Sequence, residues 1–272
     1  MIKLIASDLD GTLLTSSKQL SRRLSQILKR ASDKGVIFVP ATGRTLCAVP
    51  DYVKELPFTN YIITSNGACV YKSGSKTPIF MECLKPEHAE TVFNEASRLN
   101  VITEVFANGM AYISKAHAEN LEAFGITGRR ANYIKTTRTA VDDLNSLLAS
   151  NIGSIENMNI IFTDMSLRER FRNEMKARLD VFVTSSSTDN IEISSTNAAK
   201  GNALRKLCQR LGIDKSETIA FGDSENDLDM LEFAGTGIVM ENAAPELKSG
   251  RFTVTASCDS DGVAKILEGL FN

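Results

Sequence analysis

The sequence lacks tryptophan and has only two histidines, His88 and His117, among its 272 residues. A metal site built from several histidines is therefore excluded, and we expect any catalysis to depend on carboxylates, hydroxyls, lysines and arginines. The five cysteines are scattered, and no two of them form a C-x-x-C pair. This pattern is typical of reduced thiols and argues against a disulfide framework or a zinc site.

Long apolar runs and an excess of one charge are also missing. The longest apolar runs, such as Val36–Ala41, reach about six residues, whereas a membrane-spanning helix needs roughly 20. The first 14 residues are interrupted by Asp8 and Asp10 and do not resemble a signal peptide. With 31 basic and 33 acidic residues, the net charge of −2 gives no reason to expect binding to nucleic acid or to a membrane. We expect a cytoplasmic protein that acts on a small molecule, and its oligomeric state stays open.

The apolar pattern predicts an α/β fold. Short apolar strands alternate with helical stripes near both ends of the chain, as expected for a Rossmann-like parallel sheet with helices on both faces. Between them, mixed helical and hairpin patterns predict an inserted second domain of the α+β class at residues 83–190. Residues 1–82 and 191–272 are then expected to form one discontinuous α/β domain.

Several of the predicted strands end in polar residues. Ile2–Ser7 is followed by Asp8, Val36–Ala41 by Thr42, and Thr218–Phe221 by Asp223, while Tyr61–Ile63 leads into a segment that contains Asn66. The carboxyl ends of parallel strands lie along one edge of a sheet, where such folds bind ligands. We therefore expect these residues to converge on one site.

The segment Asp8–Thr12, with the sequence DLDGT, is the strongest candidate for chemistry. Residues two apart on an extended chain point the same way, so Asp8 and Asp10 can face one reacting centre, and Gly11 permits the chain to turn away. The alternative is an ordinary Asp-Gly hairpin turn. A helical stripe follows instead of a second strand, which favours a catalytic pair.

A second acidic segment, Gly222–Asp227, has the sequence GDSEND and also lies between a predicted strand and a helix. Carboxylates gathered beside Asp8 and Asp10 would repel one another unless a cation lies among them, and hard oxygen ligands suit Mg²⁺. The alternative is a solvated helix start, where acidic residues complement the helix dipole.

Phosphate is the ligand that two further segments favour. Thr42, Gly43 and Arg44 offer a hydroxyl, an accessible amide and a guanidinium, although Thr42 could instead cap a helix. Lys200 begins a predicted helix, where a cation opposes the dipole and is best explained by a nearby anion. A merely solvated lysine is the alternative.

Together these segments resemble the motifs of one known family. The sequences DLDGT, ATGR, Lys200-Gly201 and GDSEND occur in the order found in the haloacid dehalogenase superfamily. The insertion after the third strand, SNGA at 65–68 and DGVAKIL at 261–267 resemble its Cof-type phosphatases. The resemblance implies that the inserted α+β domain at 83–190 is a cap domain. One departure is Glu241, which stands where related sequences commonly carry glycine.

The resemblance implies a role for each matching residue. Asp8 would be the nucleophile and Asp10 the general acid and base. The side chains of Asp8 and Asp223 and the Asp10 carbonyl would bind Mg²⁺, with Asp227 supporting the metal shell. The phosphate would be held by the following residues: Leu9, Thr42, Gly43, Lys200 and Asn226. Arg44 and Asn66 are further candidates for substrate contact.

The implied function is Mg²⁺-dependent hydrolysis of small phosphate monoesters, such as sugar phosphates or phosphorylated cofactors, through an aspartyl phosphate. A phosphomutase with a similar site is the alternative among enzymes. A regulator that accepts phosphate on Asp8 without turnover is the alternative outside them.

Overall fold

The computed structural model describes residues 1–271, which form two compact units. The first unit contains Met1–Gly43, Asp51–Phe80 and the chain from Ala199 onward. The second contains Arg44–Pro50 and Met81–Ala198. The second unit therefore includes a short segment that lies far from the rest of it in sequence.

The strands are β1 (Leu4–Ser7), β2 (Ile37–Pro40), β3 (Tyr61–Thr64), β4 (Cys69–Lys72), β5 (Pro78–Met81), β6 (Ile102–Ala107), β7 (Met110–Ser114), β8 (Arg138–Val141), β9 (Ile155–Ile161), β10 (Val181–Thr184), β11 (Asn190–Ser195), β12 (Thr218–Gly222), β13 (Thr236–Met240) and β14 (Thr253–Thr255). The α-helices are α1 (Arg22–Asp33), α2 (Asp51–Lys54), α3 (Pro86–Ser97), α4 (Lys115–Glu119), α5 (Gly128–Thr137), α6 (Leu144–Ser150), α7 (Met165–Arg178), α8 (Lys200–Leu211), α9 (Leu228–Phe233) and α10 (Gly262–Phe271). Short 3₁₀ turns, among them Glu225–Asp227, connect several of these elements.

A parallel sheet forms the centre of the first unit. Its strand order is β14-β13-β12-β1-β2, and every pair of neighbours is parallel. Residues of the central strands β1 and β12 are buried and mostly apolar, as in a sheet that is covered on both faces. The predicted α/β fold with an additional sheet-containing domain is therefore confirmed.

Strand β3 differs from the simplest form of that prediction. Ala41 and Ile63 form an isolated parallel bridge beside β2, so β3 runs in the same direction as the central strands. Its main ladder, however, is antiparallel with β4, and both belong to a separate sheet of order β3-β4-β5. The carboxyl end of β3 still lies beside that of β2, because the Thr42 amide donates to the Ile63 carbonyl.

Helices α1 and α8 follow the sequence pattern. Ser21 caps α1 by accepting a hydrogen bond from the Leu24 amide, and the apolar stripe of this helix is buried. Helix α8 buries Leu204 and Leu207 in the core that includes residues of β1 and β2, and it ends at Gly212 in the left-handed conformation.

A six-stranded sheet forms the centre of the second unit, in the order β10-β11-β9-β6-β7-β8. The predicted hairpin is confirmed: β6 and β7 pair antiparallel, and the turn residues Asn108 and Gly109 both have positive φ. Helices α3, α6 and α7 contribute Val92, Leu148 and Phe171 to the core beside the sheet.

Arg138 is buried within the second unit. It lies in a basic stretch with Arg129, Arg130 and Lys135 that could have formed a solvated face or met an anionic substrate. Instead, its side chain is 8% exposed and makes a two-pronged ion pair with Glu104, which is itself fully buried. Arg130 likewise pairs with Asp189, so two of these four charges have carboxylate partners inside the unit.

Within residues 1–271, every helix is too short or too polar to cross a membrane.

Candidate active site

Asp8 lies directly after β1 and is almost completely buried, with 6% of its surface exposed. Its amide donates to the Phe221 carbonyl, which fixes the start of the DLDGT segment against β12. Its Oδ1 accepts a hydrogen bond of 2.7 Å from Lys200 Nζ. The two residues are 192 positions apart in sequence, and the parallel sheet and α8 bring them together.

Lys200 is the first residue of α8, and its side chain is fully buried. Its ammonium also donates to Asp227 Oδ1 at 2.7 Å, so one cation joins two carboxylates. Burial opposes the charge on Lys200, but the attraction of Asp227 and Asp8 outweighs it and raises the pKa of the ammonium. Lys200 therefore stays charged in this site.

Asp227 binds both the cation and the loop before it. Its Oδ2 accepts hydrogen bonds of 3.0 Å from the amides of Asp223 and Ser224. The Ser224 side chain in turn accepts a hydrogen bond from the Asp227 amide, so the two residues form a capping box. The GDSEND segment is thereby folded into a tight turn that directs Asp223 and Asp227 to one side.

Asp223 is held next to the DLDGT segment. Thr12 Oγ1 donates to Asp223 Oδ1 at 2.7 Å across 211 residues of sequence. Gly11 has a φ of +95°, and a Cβ at this position would lie only 2.5 Å from Asp223 Oδ2. Glycine is therefore required both by the backbone conformation and by the close approach of the carboxylate.

Asp8, Asp223 and Asp227 each present a carboxylate oxygen within 4.8 Å of the others. The pKa of Asp8 lies well above its usual range and the pKa of Asp223 is raised to about 6, with burial as the main cause of both shifts. Repulsion between neighbouring carboxylates contributes to both increases, whereas Lys200 opposes them. Such a cluster of hard oxygen donors fits a divalent cation, which would offset this repulsion.

Asp10 lies nearer to solvent, with its side chain 32% exposed. Its Oδ1 accepts a hydrogen bond of 2.7 Å from Lys18 Nζ. Lys18 itself is half exposed and has a positive φ of 61°, which is uncommon for a residue other than glycine. Asp8 and Asp10 thus occupy environments of different polarity.

The predicted phosphate-binding residues after β2 and in GDSEND lie together with Asn66, the candidate for substrate contact that follows β3. Asn226 Nδ2 donates to Asn66 Oδ1 at 2.9 Å. The Asn66 amide donates to the Thr42 carbonyl, and a Cβ on Gly43 would meet Asn66 Oδ1 at 2.9 Å. Asn226 Oδ1 is buried and has no hydrogen-bond partner among the described residues. This oxygen can therefore accept a hydrogen bond from a bound ligand.

Arg44 and Glu241 differ in their surroundings from these residues. The Arg44 guanidinium donates to the Ala48 carbonyl and stacks over the ring of Tyr133, with both partners in the second unit. Glu241 is exposed, and its backbone carbonyl accepts a hydrogen bond from Lys248.

Three residues beside this site were given no role of their own from the sequence. Thr12 orients Asp223, and Asn242 Nδ2 donates to the Gly11 carbonyl. Asp229 Oδ2 accepts a hydrogen bond from the Gly201 amide at the start of α8. In the sequence, the acidic residues around Asp229 indicate only the start of a helix. No local pattern predicts that Asp229 contacts Gly201, which lies 28 residues before it.

An acidic cluster with a buried lysine lies at the carboxyl edge of a parallel sheet, which is where α/β enzymes bind their ligands. Comparison with known proteins identifies the family. The model of the haloacid dehalogenase-like hydrolase family matches residues 5–267. The chain belongs to this family, as its motifs predict.

Its relatives are phosphatases by name. The chain is 31% identical to phosphatase YwpJ of Bacillus subtilis over 99% of its own length and 100% of that protein. It is 30% identical to the 5-amino-6-(5-phospho-D-ribitylamino)uracil phosphatase YwtE of the same organism, over 100% and 99% of the two chains. A haloacid dehalogenase-like hydrolase from B. subtilis has a similar structure, with a TM-score of 0.89, 29% identity and coverage of 99% and 100%. The predicted enzyme class, a hydrolase of the phosphatase type, is confirmed.

Proposed function

We propose that this protein is a Mg²⁺-dependent phosphatase that hydrolyses small phosphate monoesters through an aspartyl phosphate on Asp8. The observation that carries the proposal is the buried arrangement of Asp8, Lys200 and Asp227, beside which Asp223 completes a cluster of carboxylates. A buried cation with an excess of carboxylates is suited to a dianionic phosphate only when a metal ion adds positive charge.

The residues that would hold Mg²⁺ are Asp8 and Asp223 through their side chains and Asp10 through its backbone carbonyl. Asp227 would support them through its contacts to Lys200 and to the Asp223 amide. Bound Mg²⁺ would neutralise charge on the phosphate oxygens, so that a carboxylate can approach the phosphorus.

In the first step, an oxygen of the Asp8 carboxylate attacks phosphorus in line with the ester bond. The bond between phosphorus and the ester oxygen breaks, and Asp10 donates its proton to the leaving oxygen. Lys200 stabilises the charge that spreads over the phosphoryl oxygens. Thr42, Gly43, Asn226 and the Leu9 amide would bind these oxygens.

In the second step, a water molecule attacks the phosphorus of the aspartyl phosphate. Asp10, now a carboxylate, accepts the proton of that water, and the bond between phosphorus and the Asp8 oxygen breaks. Inorganic phosphate leaves, and both carboxyl groups return to their starting states. The partial exposure of Asp10 supports this role, because its proton has to exchange with substrate and water.

The test measures phosphate release from a panel of phosphate monoesters by the wild type and by Asp8→Asn, each with Mg²⁺ and with EDTA. Sugar phosphates and phosphorylated cofactors belong in the panel, and the name of YwtE, which specifies a phosphoribityl compound, supports this choice. We expect turnover that requires Mg²⁺ and that falls at least a thousandfold in Asp8→Asn, because an amide cannot attack phosphorus.

Because Asn has nearly the shape of Asp, we expect the Asp8→Asn variant to fold, and circular dichroism checks that it does. Turnover that Asp8→Asn retains would refute the nucleophile assignment. Transfer of the phosphoryl group to another position without phosphate release would identify a phosphomutase. Stable phosphorylation of Asp8 without turnover would identify a phosphate-accepting regulator. Activity that is equal with Mg²⁺ and EDTA would refute the metal assignment.

We further propose that the enzyme acts in the cytoplasm. All five cysteines are free, as expected for a protein kept in a reducing compartment. Fractionation of the source cells, with the protein followed by an antibody, tests the location, and recovery outside the cytoplasmic fraction would refute it.

A further inference from the structure

Helix α8 places Lys200 in the site, yet it lacks a capping side chain of its own. Its N-cap residue is Ala199, which cannot accept a hydrogen bond through its side chain. The amides in the first turn of a helix need acceptors, and Lys200 adds positive charge where the helix dipole is already positive. The start of α8 is therefore unfavourable unless another element stabilises it.

Asp229 of α9 supplies the missing acceptor. Its Oδ2 accepts a hydrogen bond of 2.7 Å from the Gly201 amide, the second residue of α8. Its other oxygen, Oδ1, is buried and has no hydrogen-bond partner among the described residues.

The two helices are in close contact at this point. A Cβ on Gly201 would lie 2.4 Å from the Asp229 carbonyl oxygen and 2.8 Å from Asp229 Oδ2. Only glycine therefore permits the carboxylate to reach the amide. The position of α9 is in turn linked to the GDSEND segment, which ends one residue before α9 begins.

We infer that Asp229 is a positioning residue for Lys200, capping α8 from a neighbouring helix and so fixing the ammonium between Asp8 and Asp227. This inference rests on the proposed phosphatase function, because it concerns how strongly Lys200 stabilises the transferred phosphoryl group. The hydrogen bond to Gly201 is the essential contact, and Asn at position 229 can also accept it.

The test compares Asp229→Ala and Asp229→Asn with the wild type, using p-nitrophenyl phosphate with Mg²⁺ as substrate and orthovanadate as inhibitor. Asp164→Ala is the matched control, because Asp164 caps α7 by accepting bonds from the amides of Ser166 and Leu167. For Asp229→Ala we expect kcat/KM to fall about tenfold and the inhibition constant of orthovanadate to rise to a similar extent. Asp229→Asn and Asp164→Ala should stay within about twofold of the wild type in both measurements.

The inhibition constant is independent of the amount of folded enzyme, so a loss of stability alone would leave it unchanged. An Asp229→Ala enzyme within twofold of the wild type in both measurements would overturn the inference. So would an Asp164→Ala enzyme with the same defect, or an Asp229→Asn enzyme as impaired as Asp229→Ala. If Asp229→Ala does not fold, the comparison uses Asp229→Leu, which fills the space of the aspartate but has no acceptor. A wild type without Mg²⁺-dependent phosphate release would instead refute the proposed function.

Discussion

Replacement of Asp223 by Asn should stabilise the protein when metal is absent. Asp223 is surrounded by carboxylates and largely buried, so its ionised form is unfavourable in the folded state. Asn has nearly the same shape, and its side-chain oxygen can accept the hydrogen bond from Thr12 that Asp223 Oδ1 accepts. The substitution therefore removes a charge with little change in packing.

The magnitude follows from the pKa of Asp223, which burial and repulsion by Asp227 raise from 3.8 to about 6. Each pKa unit corresponds to about 1.4 kcal/mol, so ionisation costs the metal-free protein about 3 kcal/mol. Between these two values the folded state binds more protons than the unfolded state, and stability therefore decreases as pH rises. The penalty is complete at pH 7.5, is about half as large at pH 5 and vanishes near pH 3.

Thermal unfolding followed by circular dichroism in EDTA, from pH 5 to pH 7.5, measures this effect. We expect Asp223→Asn to melt about 5 °C above the wild type at pH 7.5 and about half as far above it at pH 5. In saturating Mg²⁺ the order should reverse, because the wild type gains binding free energy that the variant lacks. A difference that does not change with pH, or a wild type that is more stable in EDTA at pH 7.5, would refute the reasoning.

Three further substitutions test other contacts. Lys200→Met leaves Asp8 and Asp227 buried without their cation, so urea unfolding should show a loss of about 3–5 kcal/mol and phosphate release should be abolished. Thr12→Val removes the hydrogen bond to Asp223 and should raise the Mg²⁺ concentration for half-maximal activity about tenfold, whereas an unchanged requirement would contradict the role of Thr12. Arg138→Met leaves Glu104 unpaired and should cost about 3–5 kcal/mol in urea unfolding, while the exposed Arg129→Met should change stability by less than about 0.5 kcal/mol.

The parallel sheet and its polar edge could be predicted because both depend on local patterns. The strand Thr218–Gly222 is a continuous apolar run between a helix and a glycine, and its direction follows from the helices that connect it to its neighbours. The hairpin of β6 and β7 was predictable for a similar reason, since Asn108-Gly109 is a favoured turn sequence.

The contacts that could not be predicted join distant parts of the chain through polar side chains. The hydrogen bond from Thr12 to Asp223 spans 211 residues, and nothing near Thr12 in sequence indicates its partner. Arg138 belongs to a run of basic residues, and only its pairing with Glu104 explains its burial. Strand β3 pairs antiparallel with β4 because the chain turns back within the SNGA segment, where Ser65, Asn66 and Gly67 all have positive φ. Such conformations have little signature in apolar periodicity.

The second unit is built from two separate segments of the chain, and this limits how it can be exchanged between relatives. Besides Met81–Ala198, it contains the short segment Arg44–Pro50. In sequence, this segment lies between two parts of the first unit. Within the second unit, the Cys47 amide donates to the Gly109 carbonyl, and Arg44 stacks on Tyr133. A chimera that transplants only 81–198 would therefore leave behind part of the unit's own packing. Transfer of the complete second unit, by evolution or by design, requires two coordinated exchanges at separate places in the gene.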